Sequence, residues 1–173
     1  MDDRTIQENL AVIEAHFQGE AANEIYRILP HYTDDVVWES PARGLTLHGK
    51  QAAAENYRQM FGGMENIEFT RLRRFATADR VVDDSIATFT LVNGGVANAP
   101  LPVGSLVELR LVHIFEMRDH KIARESVYET WRAISQSAAE PVPAAGAAPR
   151  PGGERRDGDH GAGADHRDGR AGG

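Results

Sequence analysis

The chain has 173 residues, with 19 basic and 26 acidic side chains and a formal net charge of −7. This length fits one domain, or one domain with an appendage, and the acidic balance argues against a nucleic-acid partner, which would need clustered Lys and Arg. There are no cysteines, which removes disulfides, thiol nucleophiles and Cys-based metal centres. No apolar run reaches the roughly 20 residues of a bilayer-spanning helix. The acidic start Met1-Asp2-Asp3-Arg4 does not read as a secretory signal. A cytoplasmic location without a membrane partner is the expectation.

Thr5 to Gln18 reads as a helix, because Ile6, Leu10, Ile13 and Phe17 form one apolar stripe. Gly19 is expected to end it. Ala22 to Leu29 reads as a second helix closed by Pro30, and Val36 to Ser40 as a strand ended by Pro41. Gly44 to Gly49 is a turn or short hairpin. Lys50 to Phe61 is a third helix, with Ala53, Tyr57 and Met60 or Phe61 inward and Gly62-Gly63 at its end. The period then switches to two: Ile67–Phe75, Arg80–Val92, Leu106–Met117 and Lys121–Trp131 read as long strands. Helices followed by a run of strands predict an α+β fold with a mostly antiparallel sheet, one face packed and one wet. From Gln136 to Gly173, 22 of 38 residues are Ala, Gly or Pro, and Val142 is the one large aliphatic residue. Such a segment buries too little to offset its ordering entropy, so residues 1–135 are expected to form the domain and 136–173 a disordered tail. His160 and His166 in that tail lack a rigid ligand spacing, and no metal is expected there.

The strand at Leu106–Met117 carries the most chemistry. Val107, Leu109, Leu111, His113, Phe115 and Met117 share a face that is apolar except for its central histidine. Such a residue is either a core histidine bonded to backbone or the polar group of an apolar pocket able to act as general acid or base. The turn Arg118-Asp119-His120 leaves two registers open. A three-residue loop, with His120 left-handed in a bulge, places His113 opposite Val127 and puts Ala123, Glu125, Val127, Glu129 and Trp131 on its face. A two-residue loop turns Arg124, Ser126 and Tyr128 there instead. The first is preferred because Ala123, Val127 and Trp131 extend the apolar face, against Ile122 and Tyr128, which argue for the second. In the first, Glu125 and Glu129 lie diagonally from His113. A carboxylate there would orient the ring and raise its pKa, while a rim position in water is the alternative, more so for Glu129.

Tyr32-Thr33-Asp34-Asp35-Val36-Val37-Trp38, the helix opening at His48-Gly49-Lys50 and the hairpin Ile114–Ile122 resemble the SnoaL-like proteins of the nuclear transport factor 2-like superfamily, which also contains ketosteroid isomerase. The resemblance spans residues 5–132. It implies a cone-shaped α+β barrel, a curved antiparallel sheet wrapped around the N-terminal helices and enclosing an apolar pocket, often dimeric. It also implies a small apolar ligand and no cofactor. His113 matches the pocket histidine of the polyketide cyclases and the oxyanion-hole acid of the isomerase, and His16 falls near the isomerase's oxyanion-hole tyrosine. The cyclase's acid/base aspartate, however, would fall at Val127, and the isomerase's base at Ser40. Neither proton-transfer residue is therefore where the resemblance puts it. Either the chemistry is re-seated on His113 with Glu125, Glu129 or His16, or the cavity only binds. The enzyme reading is acid/base isomerisation, cyclisation or dehydration of an apolar carbonyl or polyketide-like compound. The competing reading is a ligand-binding or dimerising module.

Further pocket walls are expected from Trp38, Ser40, Tyr57, Leu111, Phe115 and Val127. Asp34 and Asp35 read as turn or capping acids, and Arg71, Arg73 and Arg74 as a solvated or dimer-contact cluster. Val112 and Ile114, on the nominally wet face between Arg110 and Glu116, point to a homodimer contact. For the tail, removal of residues after Gln136 is expected to shift the thermal midpoint by less than about 4 °C, equivalent to roughly 1 kcal/mol for a domain of this size. A larger drop would show that the segment docks.

Overall fold

The computed structural model describes residues 3–134; the expected tail lies outside them. The described elements are α1 (Asp3–Ala21), α2 (Ile25–Ile28), a 3₁₀ turn (Leu29–His31), β1 (Tyr32–Ser40), a second 3₁₀ turn (Pro41–Arg43), β2 (Leu45–His48), α3 (Lys50–Gly62), β3 (Met64–Ala76), β4 (Arg80–Leu91), β5 (Leu106–Arg118) and β6 (Lys121–Ala133). The strands form one curved, unclosed sheet in the order β2-β1-β6-β5-β4-β3. It is antiparallel except where β1 runs parallel to β6. With this one parallel pairing the sheet is mostly antiparallel, as expected. The helices separate β1 from the later strands in sequence, so β1 can enter alongside β6 in the same direction.

Strand alternation directs side chains to the core. Val81, Ala87, Phe89 and Leu91 of β4, Val107, Leu109, Leu111 and Phe115 of β5, and Ile122 and Val127 of β6 are buried against Ile13, Ile28, Tyr57 and Phe61 of the helices. The outer face carries charge pairs such as Arg110 with Asp84, at 2.5 Å.

The last hairpin combines the two registers left open above. Asp119 and His120 both have positive φ (50° and 56°), and Arg118 pairs with Lys121 across a two-residue turn. Glu116 then pairs with Arg124 but Met117 with Ile122, so Ala123 is an extra residue, a bulge. The bulge reverses the parity of β6. Ile122 faces the core, and so do Glu125 and Val127, while Tyr128 turns outward at 49 % exposure. His113 lies opposite Val127 as the three-residue loop would have placed it, by a different turn.

Gly19 does not end α1. The helix continues to Ala21, and a Cβ on Gly19 would come within 3.0 Å of the Ile28 side chain. A residue with no side chain lets α2 close on α1, which outweighs the helix penalty of glycine, roughly 1 kcal/mol. The extra turn carries Glu20 into the interior. The deepest stripe of α1 is Asn9, Ile13, His16 and Glu20. That stripe is rotated by about 60° from Ile6, Leu10, Ile13 and Phe17.

Candidate functional site

A cavity opens between α1, α3 and the concave face of the sheet. Its lining is mostly apolar: Trp38, Phe61, Ala87, Phe89, Val96, Leu109, Leu111 and Val127 among others. The polar lining residues are Glu20, His113 and Glu125, and, separately, Arg43 and Glu129.

The first group belongs to a buried array of acids, imidazoles and phenols. Its central residue is Glu125, 1 % exposed. The Tyr32 hydroxyl donates to Glu125 Oε2. Glu125 Oε1 lies 3.9 Å from His113 Nε2, and Oε2 lies 3.7 Å from His16 Nε2. The Tyr57 hydroxyl donates to Glu20 Oε1 at 2.7 Å, and sits 3.0 Å from the Tyr32 hydroxyl and 3.3 Å from Glu125 Oε1. His16 Nε2 lies 3.2 Å from Glu20 Oε1. Phe115 stacks on the His113 ring at 5.6 Å between centroids, and Phe17 meets that ring edge-on at 5.2 Å.

This environment separates the two carboxyls. For Glu125, burial is the largest influence, and together with the charge of Glu20 it raises the pKa above the ordinary 4.5 against the pull of His16, His113 and Tyr32. For Glu20, burial also pushes upward, but the hydrogen bond and charge of His16 prevail and lower its pKa. Burial disfavours protonated His16, yet the hydrogen bond and charge of Glu20 and the charge of Glu125 raise it above 6.5. Burial first, and then the Glu125 charge, hold Tyr32 and Tyr57 as neutral phenols. The buried array therefore raises the proton affinity of Glu125 and His16 and lowers that of Glu20. Two carboxyls pushed apart in this way divide the roles of proton donor and acceptor.

Of the residues singled out from sequence, His113, Glu125, Trp38, Leu111, Val127 and Glu129 line the cavity. His16 and Tyr57 stand behind Glu20 and Glu125, fully buried and outside the lining. Phe115 supports the His113 ring from behind. Ser40 is buried on β1 with no hydrogen-bond partner for its hydroxyl among the described residues, and does not line the cavity. Glu129 is not a rim residue. Its side chain is 3 % exposed and holds the Arg43 guanidinium through Oε1 at 3.0 Å and Oε2 at 3.0 Å. Glu20, Tyr32 and Arg43 were not singled out. An acid one residue past an apparent helix end, the first residue of a strand and an arginine in a proline turn carry no periodic signal. A His-x-x-x-Glu spacing on one helix face was the available hint for Glu20.

His16, Glu20 and Glu125 each offer a ligand atom within 4.8 Å of the others, a grouping that could hold a cation. Tyr32 and Tyr57 already donate to Glu125 and Glu20, and His16 Nε2 lies against Glu20 Oε1.

A family model described as a SnoaL-like domain matches residues 13–125. No curated protein matches the sequence. Among solved structures, a protein from Jannaschia sp. CCS1 assigned to the SnoaL-like polyketide cyclases is 15 % identical, with a TM-score of 0.62 over 72 % of this chain and 86 % of that one. An LEH-like epoxide hydrolase of M. tuberculosis is 18 % identical, with a TM-score of 0.58 over 72 % of this chain and 84 % of that one. TerC, crystallised with polyporic acid, is 22 % identical, with a TM-score of 0.56 over 69 % of this chain and 89 % of that one. At these identities the likeness is one of fold.

The charge assignment has a stability consequence. A carboxyl whose folded pKa is raised binds more protons folded than unfolded, so its contribution is complete below about pH 4.5 and is lost as pH rises through the folded value. His16, raised above 6.5, acts in the same direction at higher pH. The denaturation midpoint of the native chain should fall between about pH 5 and 8, and Glu125→Gln, which cannot ionise there, should fall less. Parallel curves from chemical denaturation would contradict a raised Glu125.

Proposed function

The chain belongs to the SnoaL-like domain family, and from that premise we propose that it is a cofactor-free acid/base enzyme acting on an apolar carbonyl or polyketide-like compound. The observation that carries this reading is the buried carboxyl of Glu125, its pKa raised, beside His113 in a mostly apolar cavity. The 3.9 Å between Glu125 Oε1 and His113 Nε2 is too long for a hydrogen bond. A substrate oxygen placed between them accepts the acid proton. Neither nitrogen of His113 has a hydrogen-bond partner among the described residues, and Nδ1 is buried.

In this reading Glu125 polarises the substrate carbonyl as a neutral donor, aimed by Tyr32 at its other oxygen. His113 removes a proton from the carbon beside the carbonyl, and the resulting enolate is stabilised, or protonated, by Glu125. Return of the proton from the imidazolium to another carbon isomerises the compound. Attack of the enolate carbon on a second carbonyl cyclises it, and loss of a hydroxyl protonated by the same acid dehydrates it. His16 and Glu20 act as positioning residues: His16 holds Glu20, whose charge adds to burial in raising the Glu125 pKa. Apolar walls strengthen these interactions by excluding water.

Enolisation is detectable without the native substrate. The protein in D₂O should exchange the methyl protons of a para-acetylbiphenyl for deuterium faster than buffer does, as followed by proton NMR. His113→Ala should lose about 10²-fold or more of that rate with little loss of stability. The rate should fall as pH rises through the raised Glu125 pKa. No exchange above buffer, or full exchange in folded His113→Ala, would defeat the assignment.

The reading extends to a homodimer and a cytoplasmic protein; no helix among the described residues is long and apolar enough to cross a membrane. The outer face of the sheet presents half-buried Val112 and Ile114, with exposed Tyr128 paired across from Val112. Covering this patch with a second copy removes apolar area from water. Sedimentation at micromolar concentration should give twice the 19.0 kDa chain mass, and Val112→Lys should shift it to monomer. A native monomer would remove the dimer.

A further inference from the structure

The cavity has a second polar end that the proton chemistry leaves unused. There, Arg43 is buried, 5 % exposed, in the 3₁₀ turn after β1. Its Nε and Nη2 hold Glu129, its Nη1 donates to the Ala97 carbonyl at 3.2 Å, and its own carbonyl accepts from Asn98 Nδ2 at 2.8 Å. The guanidinium lies 5.4 Å from the centre of the Trp38 ring. We propose that Arg43 and Trp38 form a donor-only subsite for a second, neutral oxygen acceptor of the substrate, which is then an elongated apolar compound with an oxygen at each end. The inference rests on the reading of Glu125 and His113 as the reactive end.

The donor arithmetic supports it. A guanidinium has five N–H groups. Three are engaged, one each on Nε, Nη1 and Nη2, and two have no partner among the described residues. Glu129, by contrast, is fully occupied: Oε1 accepts from Nε and Nη2, and Oε2 from Nε and from Trp131 Nε1 at 2.9 Å. Trp38, 2 % exposed and in the cavity lining, has an indole N–H with no acceptor among the described residues. Buried donors without acceptors are costly and uncommon, which points to an acceptor that arrives with a ligand. The Glu129 charge cancels that of Arg43, so a free carboxylate gains little net attraction, whereas a carbonyl oxygen gains the hydrogen bonds without repulsion. The spacing is set by β6. Glu125 and Glu129 share one face four residues apart, about 13 Å, with Val127 between them and Leu111 opposite Glu129.

Two probes separate this from the reading it rests on. One is a biphenyl with a para-acetyl group on each ring; the other is the same molecule with one acetyl replaced by isopropyl, equal in shape but lacking one oxygen. By calorimetry the native chain should bind the diacetyl probe about 10- to 100-fold more tightly, the worth of a hydrogen bond to a charged group. Arg43→Met with Glu129→Leu, an apolar pair of similar volume, should bring the two affinities together. Trp38→Phe, which keeps a ring and removes the N–H, should narrow the gap, and it serves should the double variant not fold. Equal affinities in the native chain would overturn the subsite and leave the acid/base reading standing. A preference that persists in both variants would place the second oxygen elsewhere and also overturn it. If neither probe binds, the subsite and the acid/base reading fall together.

Discussion

Two carboxyls and an imidazole buried behind an apolar cavity cannot all take the charges they carry in water. The solution in this chain is an allocation. His16 Nε2 and Glu20 Oε1, one helical turn apart on α1, lie 3.2 Å apart and favour each other's charge, while burial raises the proton affinity of Glu125 on β6. The carboxyl whose pKa is raised is the one facing His113 across the cavity. Removing one member of such a pair strands the other in a dry interior, at roughly 3–5 kcal/mol. The function argued above therefore depends on α1, which does not itself react.

The architecture serves this allocation at three points. The close approach of α2 at Gly19 keeps α1 helical for the turn that carries Glu20 inward. The Ala123 bulge switches the parity of β6, so Ile122 and Glu125 both reach the interior. Tyr32, at the start of β1, and Tyr57, on α3, close the array from the other side with hydrogen bonds to Glu125 and Glu20. Elements from both ends of the chain thus meet at one carboxyl, and the arrangement exists only in the folded sheet. The Arg43–Glu129 pair forms the opposite end of the cavity. There an arginine is fully matched to its carboxylate and still has donors to spare.

Much of this was legible in the residues themselves. The period-two runs mark all four long strands. A single histidine on the apolar face of β5 marks the cavity, and alternation puts Glu125 diagonal to it. What escaped was set by interactions that periodicity does not encode. Gly19 reads as a helix end because its local cost is visible and its contact with Ile28 is not. Glu20 then falls outside the helix and out of consideration. His16 lies off the apolar stripe of α1, and that stripe is not the helix's most buried one. Glu129 reads as a rim acid because its partner, Arg43, is 86 residues away in sequence. The residues favour a three-residue loop at the last hairpin, but the turn has two residues, and the bulge at Ala123 restores the pairing of His113 with Val127. Val127 and Ser40 stand where the resemblance would seat a proton-transfer group, and Glu125 is found by geometry instead.

The central claim is that the interior makes Glu125 bind its proton more tightly than an ordinary carboxyl, and Glu20 less tightly. An infrared-monitored pH titration of the native chain against Glu125→Gln and Glu20→Gln reads this directly, since a protonated carboxyl and a carboxylate absorb at separate frequencies. The account predicts that Glu125→Gln deletes a carboxylic-acid band that persists above the ordinary carboxyl range, and that Glu20→Gln deletes a carboxylate band that persists below it. A Glu125 band that ionises within or below the ordinary range would contradict it.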